Sequence, residues 1–174
     1  MVTNNINLEA LGKYFEEVKK DPSQAKKTKR VDGEWVLEQG RPQFKAELNF
    51  EQGSEIIQSD FAPFMGGWGS RPDPIQYCLY GLASCFAGTF AAIASQEGVV
   101  LKKFKVSVEN KIDLSRTLGL SENPIVEEMI LTSVIESDAS KDKIAEIMDL
   151  AVQRCPGVYC LTKPIPLKTN LVIE

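Results

Sequence analysis

The feature that most constrains the fold is the segment Tyr77–Ala94, in which 18 consecutive residues carry no charge. Small residues alternate there with bulky apolar ones, which favours a helix. Eighteen uncharged residues approach the length of a membrane-spanning helix, but the segment is rich in Ala, Gly, Ser and Thr rather than in Leu and Ile. We therefore predict a core helix surrounded on all sides within a soluble protein, because a helix that is apolar all round is a buried one. A single membrane span is the alternative.

Apolar and polar residues alternate on both sides of this helix, as is typical of strands with one solvent-exposed face. A second amphipathic helix is predicted after Ser140, and Pro156 and Gly157 are predicted to end it. The strands are predicted at residues 31–37, 44–50, 54–61, 104–112, 125–136 and 165–173. This order of elements indicates the α+β class with an antiparallel sheet.

The residues before the first predicted strand indicate a helical arm. Apolar residues recur at helical spacing across Ile6–Lys20, and the charged stretch Lys19–Arg30 is typical of a break followed by a linker. We therefore divide the chain into an N-terminal helical arm, residues 1–27, and a single domain, residues 28–174.

The composition excludes several classes of chemistry. The chain has no histidine, which rules out Ser–His–Asp triads, Cys–His dyads and histidine-ligated metals. Its net charge of −4 argues against nucleic acid or an acidic membrane surface as a partner. The glycine-rich loop Pro63–Pro74 lacks the lysine of a Walker motif and does not match the dinucleotide fingerprint. We interpret it as a shaping loop and predict no metal and no cofactor.

Four cysteines are the main candidates for chemistry: Cys78, Cys85, Cys155 and Cys160. The polar start of the chain is not a cleavable signal, so we expect a cytoplasmic protein with reduced thiols. No pair has the CxxC spacing, which weakens a zinc interpretation. Cys78 and Cys85 are seven residues apart, about 10 Å along a helix, which is too far for a disulfide. Inert packing remains an alternative for every one of them.

Cys85 needs help from another part of the chain to become reactive. It follows Pro74, the predicted first helical residue, by eleven residues, so the helix dipole has little effect on it. Burial in an apolar helix raises the pKa of a thiol. A guanidinium could reverse that effect, and Arg41 and Arg71 are the candidates because both lie in loops. Arg154, at the end of a helix, is better explained as a complement to the helix dipole.

Cys155 directly precedes Pro156, after the second amphipathic helix. Its thiol can therefore move more than a thiol in the middle of a helix, which suits a resolving cysteine that attacks a sulfenate. A half-buried structural cysteine explains the spacing equally well. Cys160 follows five residues later, and a structural position in the core explains it equally well.

Two motifs, whose cysteines are 70 residues apart, are specific as a pair. The first combines Asp73-Pro74-Ile75-Gln76 with Leu82-Ala83-Ser84-Cys85-Phe86, and the second is Arg154-Cys155-Pro156. Together they resemble the OsmC/Ohr family of thiol-dependent hydroperoxide reductases, from about Thr28 to the C-terminus. The similarity is to the OsmC-like subgroup.

The resemblance implies a role for each of three residues. Cys85 would be the peroxidatic thiolate that attacks an organic hydroperoxide and becomes a sulfenic acid, and Cys155 would be the resolving thiol that forms a disulfide with it. An external dithiol, such as a lipoyl group, would reduce that disulfide. Arg41, from the loop between the first two strands, would stabilise the thiolate. The implied function is a thiol-based peroxidase in detoxification and the oxidative stress response.

The resemblance also implies an OsmC-like fold and a homodimer. The antiparallel sheet would wrap on the long apolar helix, and two chains would intertwine with these helices packed centrally. An apolar pocket near Cys85, lined by Phe64, Trp68, Phe86 and Gln76, would favour organic hydroperoxides over hydrogen peroxide.

One position departs from the family pattern. The family has an acid ten residues before its reactive cysteine, where it orients the activating arginine, and this chain has Ile75 there. Isoleucine cannot orient a guanidinium, and the adjacent Gln76 could do so only weakly through its carbonyl. The resemblance therefore supports the fold and the roles of both thiols more strongly than it supports efficient catalysis. The alternative function is a non-catalytic OsmC-like protein that binds a small hydrophobic or sulfur-containing ligand.

Overall fold

The computed structural model describes residues 1–173, which fold into two compact units. Unit 1 comprises residues 1–11 and the chain from residue 81 onward, and unit 2 comprises residues 12–80. Both units combine helix with antiparallel strands, which confirms the predicted α+β class. The predicted division of the chain at residue 27 stays a prediction.

The helices and strands follow one another along the chain, with two short 3₁₀ turns at Pro22–Ala25 and Pro63–Met65. In order they are β1 (Val2–Thr3), β2 (Ile6–Asn7), α1 (Leu8–Lys20), β3 (Asp32–Trp35), β4 (Phe44–Phe50), β5 (Gly53–Ser59), α2 (Pro74–Gln96), β6 (Leu101–Ile112), β7 (Val126–Ser137), α3 (Lys141–Arg154) and α4 (Pro156–Thr162).

Unit 2 contains a three-stranded antiparallel sheet in the order β3-β4-β5. Phe44 lies opposite Trp35 on one side and opposite Ser59 on the other. β4 and β5 lie where the alternation predicts strands, whereas β3 is shorter than predicted and ends at Trp35. Beyond it, Val36 still donates its amide to the Gln43 carbonyl at 2.8 Å, and the chain turns at residues 38–41.

The core of unit 1 lies between the β6–β7 hairpin and the helices α2 and α3. The rings of Phe90 and Phe104 are 4.7 Å apart between centroids, which joins α2 to β6. Burying one such aromatic side chain stabilises a fold by about 1.5–3 kcal/mol. The core cluster comprises Phe86, Phe90, Ile93, Ala94, Val99, Ile147, Ala151 and Cys155, with Phe104, Val106, Leu131 and Ile135 of the hairpin packed against it.

The first residues of the chain are fixed to unit 1 by Asn4. Its amide nitrogen donates to the Ser95 hydroxyl at 3.0 Å and to the Val99 carbonyl at 2.8 Å. Its amide oxygen accepts from the Leu101 backbone at 2.8 Å. Asn4 and Asn5 adopt the left-handed conformation, with φ of 51° and 62°, which closes the turn between β1 and β2.

Helix α2 confirms the predicted apolar helix and extends it to 23 residues. It is the one helix of the described residues that is long and apolar enough to cross a membrane, a test that core helices of soluble proteins also pass. Burial is confined to one face, so the prediction of a helix surrounded on all sides is wrong for the single chain. Gly81 and Gly88 lie on the open side. The buried residues are Leu82, Phe86, Phe90, Ile93, Ala94 and Ser95.

The end of the chain differs from the prediction in two ways. Helix α3 ends at Arg154, directly before Cys155 and Pro156, as predicted, but Pro156 and Gly157 also begin a further helix, α4, and residues 165–173 form no strand. Proline is favoured at the first position of a helix, where its missing N–H needs no partner, which explains the new start. The alternating residues 165–173 lack a neighbouring strand in this structure, and a strand forms only where its backbone groups are paired.

Candidate active site

Helix α2 places Cys85 at the edge of the unit 1 core. The next residue, Phe86, is fully buried, whereas Cys85 is partly exposed and packs against the same cluster. Thr89, one turn further on, donates its hydroxyl to the Cys85 carbonyl at 2.9 Å. The Cys85 sulfur is therefore neither sealed in the core nor fully hydrated.

Cys155 both ends α3 and begins α4. Its amide donates to the Ala151 carbonyl at 2.9 Å, the last bond of α3. Its sulfur accepts from the Val158 amide at 3.5 Å and so caps the N-terminus of α4. Only 1% of Cys155 is exposed to solvent. The expected position of this cysteine after an amphipathic helix is confirmed, but its thiol is held in place rather than loose.

The start of α4 brings the two predicted cysteines together. The Gly157 amide donates to the Cys85 sulfur at 3.3 Å, and the next amide along the chain, that of Val158, donates to the Cys155 sulfur. Cys155 is also close enough to Cys85 to raise the pKa of the Cys85 thiol. The start of α4 therefore contacts both sulfurs through two consecutive backbone amides.

Gly157 is a residue of this site that the sequence analysis missed. A Cβ atom at this position would lie 3.0 Å from the Cβ and 3.4 Å from the sulfur of Cys85. A larger side chain would therefore push α4 away from α2. The sequence signal was the Cys-Pro-Gly order itself, since a glycine inside a short helix is costly unless close approach requires it.

The surroundings of Cys85 within unit 1 favour its protonated form. Burial raises the pKa of the Cys85 thiol, and the neighbouring thiols of Cys155 and Cys160 raise it further, whereas the hydrogen bond from Gly157 lowers it. The net effect is a pKa above the ordinary value. At neutral pH the sulfur is then a thiol, and a positive charge is required to make it a better nucleophile.

Two of the predicted arginines share one cleft of unit 2. Arg41 and Arg71 both line a cleft of about 320 Å³, together with Lys45. Arg41 lies 3.5 Å from the Glu38 carboxylate, and its side chain is 64% exposed. Glu38 is a carboxylate partner that the sequence analysis missed, although it stands three residues before Arg41.

The second arginine of this cleft is fixed by neutral oxygens. Arg71 donates through Nε to the Gln58 side chain at 3.1 Å and through a terminal nitrogen to the Ser70 carbonyl at 2.8 Å. Arg154 lies in the last turn of α3, as expected for a residue that complements the helix dipole.

The predicted start of α2 is formed by a capping box. The Asp73 carboxylate accepts from the Ile75 amide at 2.8 Å, and the Gln76 side-chain oxygen accepts from the Asp73 amide at 2.9 Å. Ile75 is 36% exposed and carries no polar group. Because the Gln76 oxygen already caps the helix, Gln76 is a weaker candidate for orienting a guanidinium than the sequence indicated.

The residues predicted to line a pocket have different environments. Phe86 is fully buried in the unit 1 core, against Phe90 at 6.3 Å between ring centroids. Phe64 and Trp68 belong to unit 2 and are 78% and 51% exposed. Their assignment to a substrate pocket stays a prediction.

The glycine-rich loop of unit 2 is organised by a buried carboxylate. Asp60 accepts from the Ser70 amide at 2.9 Å, from the Ser70 hydroxyl at 2.7 Å and from the Trp68 amide at 3.3 Å. Burial tends to raise the pKa of Asp60, but these hydrogen bonds outweigh it and hold the pKa below its ordinary value. A side chain at Gly67 would collide with the Phe61 carbonyl. These contacts agree with the predicted role of a shaping loop.

An apolar cavity of unit 2 was not predicted. Its volume is about 230 Å³, and aromatic side chains from Trp35, Phe44 and Phe61 line it beside Pro74. The alternation of large apolar residues on neighbouring strands was the available signal, since residues that lie opposite each other share one face of a sheet.

Among the described residues, no group of three or more Cys, Asp or Glu side chains is arranged to hold a metal ion.

Comparison with known proteins places this architecture in one family. Residues 67–170 match the family of OsmC-like proteins. No curated protein sequence matches the chain.

Solved structures share the fold at low sequence identity. An OsmC-like protein from Mycoplasma pneumoniae is 23% identical, with a TM-score of 0.54, over 78% of this chain and 89% of that one. An organic hydroperoxide resistance protein from Legionella pneumophila is 16% identical, with a TM-score of 0.58, over 79% and 92%. An OsmC-like protein of unknown function from Vibrio cholerae is 12% identical, with a TM-score of 0.59, over 79% and 95%. With more than half of its residues matched to the family, this chain belongs to the OsmC-like proteins.

Proposed function

We propose that this protein reduces organic hydroperoxides through Cys85 and Cys155 and takes part in the response to peroxide stress. The observation that carries the proposal is the placement of both sulfurs on consecutive amides at the start of α4. Membership of the OsmC-like proteins supports it. The fold is shared with a protein from Legionella pneumophila that is described as an organic hydroperoxide resistance protein.

The reaction is proposed to proceed in two steps on this chain. The Cys85 thiolate attacks one oxygen of the O–O bond, the alcohol leaves with a proton, and Cys85 becomes a sulfenic acid. The Cys155 thiol then attacks that sulfur, which forms the Cys85–Cys155 disulfide and releases water. An external dithiol of the lipoyl type takes up the oxidising equivalents and regenerates both thiols.

Activation of Cys85 requires a positive charge, because burial raises the pKa of this thiol. We assign that role to Arg41 of unit 2, whose guanidinium is oriented by Glu38 at 3.5 Å in place of the family's missing acid. In the variant Arg41→Gln, alkylation of Cys85 at pH 7 should slow by about tenfold for each unit by which the thiol pKa rises. Arg30→Gln is the matched control, since Arg30 is an exposed arginine of the same unit that pairs with Asp32. Equal alkylation rates in the two variants would exclude Arg41.

The function is tested by turnover of cumene hydroperoxide with dihydrolipoamide as reductant. Cys85→Ser should lose activity by at least about 100-fold because the nucleophile is removed. Cys78→Ser should match the wild type, because Cys78 is an exposed cysteine to which the proposed reaction assigns no role. Equal turnover by the wild type and Cys85→Ser would disprove a thiol peroxidase.

A non-catalytic binding protein is the second candidate, and the raised pKa of Cys85 favours it. The apolar cavity of about 230 Å³ in unit 2 would hold a small hydrophobic ligand. The pH dependence of Cys85 alkylation distinguishes the candidates. No turnover, combined with an apparent pKa that is the same in the wild type and in Arg41→Gln, supports binding, whereas turnover combined with an apparent pKa that rises in Arg41→Gln supports the peroxidase. The proposed location is the cytoplasm, and the proposed assembly is a homodimer.

A further inference from the structure

The exposed thiol of Cys160 lies on the helix that carries the two-cysteine site. Cys160 belongs to α4, five residues after Cys155. The sequence analysis allowed a core position for it, but the structure leaves it exposed while Cys155 is 1% exposed. A buried thiol thus caps the start of α4, and an exposed thiol lies within the same helix.

Helix geometry places Cys160 on the same side of α4 as Gly157, the residue that contacts Cys85. Positions three apart are neighbours on one face of a helix, with Cβ atoms about 5–6 Å apart, and Cys160 is three residues after Gly157. Gly157 is the residue of α4 that contacts Cys85, since its Cβ position lies 3.0 Å from the Cys85 Cβ. Cys160 therefore lies one helical turn beyond Gly157, on the same side of α4. Cys160 also contributes to raising the pKa of the Cys85 thiol, as expected for a neighbouring thiol.

The burial of the two other sulfurs creates a difficulty for reduction. A dithiol must reach a disulfide sulfur along the S–S axis to reduce it. In a Cys85–Cys155 disulfide one sulfur belongs to a residue that is 1% exposed and the other to a residue that is only partly exposed. A third thiol that carries the disulfide to an exposed position would remove this difficulty.

We propose that Cys160 is a third redox thiol that passes the disulfide from the buried pair to the surface. This step rests on the proposed function. The Cys160 thiolate attacks the Cys85 sulfur of the Cys85–Cys155 disulfide, which forms a Cys85–Cys160 disulfide and releases Cys155 as a thiolate. The external dithiol then attacks the Cys160 sulfur, which releases the Cys85 thiolate. The second thiol of the dithiol attacks the mixed disulfide and frees Cys160.

The geometry is tested without hydroperoxide. Full-length Cys155→Ser is oxidised with diamide, alkylated and mapped by mass spectrometry. A Cys85–Cys160 disulfide within one chain is expected, and it should be absent from the variant that also carries Cys160→Ser and present in the variant that also carries Cys78→Ser. Failure to form this link overturns the inference alone. Failure of hydroperoxide to form any Cys85–Cys155 disulfide in the wild type overturns the proposed function instead.

The transfer step is tested on chains that keep Cys155. Wild type, Cys160→Ser and Cys78→Ser are oxidised with one equivalent of cumene hydroperoxide, and their reduction by dihydrolipoamide is followed in a stopped flow. Reduction of Cys160→Ser should be slower by about tenfold, because the dithiol must then attack the disulfide at Cys85, which is only partly exposed. Cys78→Ser should match the wild type. Equal reduction rates in all three proteins contradict a role for Cys160.

Discussion

Two helices of this protein begin with a capping residue followed by proline, and their caps differ in strength. At the start of α2, the Asp73 carboxylate and the Gln76 side chain satisfy local amides at 2.8 and 2.9 Å. At the start of α4, the caps are sulfurs, with Cys155 accepting at 3.5 Å and Cys85, from another helix, at 3.3 Å. Sulfur is the weaker acceptor. The start of α2 is therefore held by local oxygens, whereas the start of α4 depends on two groups that can change their oxidation state.

The largest effect is expected from Gly157→Val, which tests the closeness of α4 and α2. The valine side chain must enter a space in which even a Cβ lies 3.0 Å from Cys85, and such overpacking costs about 1–3 kcal/mol in the free energy of unfolding. The yield of the Cys85–Cys155 disulfide should fall with it. Urea unfolding and disulfide mapping measure the two effects.

Gly12→Val is the matched control for Gly157→Val. Gly12 also lies in a helix, but nothing is within 4 Å of its Cβ position. The free energy of unfolding of Gly12→Val should differ from that of the wild type by less than about 0.5 kcal/mol, since glycine and valine both have modest helix propensity. Equal losses in the two variants would mean that helix propensity, and not contact with Cys85, explains the effect at Gly157.

An intermediate effect is expected when the oxygen cap is removed. Asp73→Ala deletes the acceptor for the Ile75 amide and should lower the free energy of unfolding by about 1 kcal/mol. Asp73→Asn keeps an acceptor oxygen and should lose only a fraction of that. If both variants were as stable as the wild type, the capping box would not stabilise α2, and the contrast between the two helix starts would disappear.

A smaller effect is expected for the sulfur cap. Cys155→Ser offers an oxygen to the Val158 amide, and serine is a favoured capping residue, so the change in the free energy of unfolding should stay below about 1 kcal/mol. The same variant cannot form the Cys85–Cys155 disulfide. A loss of stability larger than that of Asp73→Ala would show that Cys155 acts mainly in packing.

The smallest effect is a dependence of stability on alkaline pH. The pKa of Cys85 is raised in the folded protein above 9.0, its ordinary value here, so the folded state holds this proton more tightly than the unfolded chain does. Its contribution to stability is fully present below pH 9 and is lost as the pH rises towards the folded pKa. The difference in unfolding free energy between the wild type and Cys85→Ser, measured from pH 7 to 10.5, should decline. A difference that rises over this range would mean that the thiolate is the favoured form in the fold.

The contrast between the two helix starts also explains what the sequence could predict. The start of α2 was predictable because Asp73, Pro74 and Gln76 cap it through contacts within four residues. The start of α4 was not, because a Pro-Gly pair is typical of a helix end, and the cap is a cysteine. The α+β class could be predicted from the alternation of apolar and polar residues in the strands and from the uncharged helix, because both patterns depend on which side chains are buried.

The site was predictable only in part, because its members are distant in sequence. Cys85 and Cys155 were identified through their motifs, but their proximity depends on how α4 packs on α2 across 70 residues. The Cys-Pro-Gly order marks Gly157 as unusual, but the closeness of Gly157 to Cys85 and the spacing of Cys160 from Gly157 along α4 emerge only from the helix geometry. Residues 165–173 show the opposite case. Their alternation of apolar residues predicted a strand, but a strand forms only where a neighbouring strand pairs with it, and none in the described part of the chain does so here.

The central claim is that Cys85 and Cys155 are redox partners, and disulfide mapping tests it most directly. The wild-type protein is treated with one equivalent of cumene hydroperoxide, alkylated, digested without reduction and examined by mass spectrometry. The account predicts a peptide pair joined through Cys85 and Cys155, which is absent from Cys85→Ser and unchanged in Cys78→Ser. Recovery of both cysteines as free alkylated thiols, or of Cys85 oxidised without a partner, would contradict it.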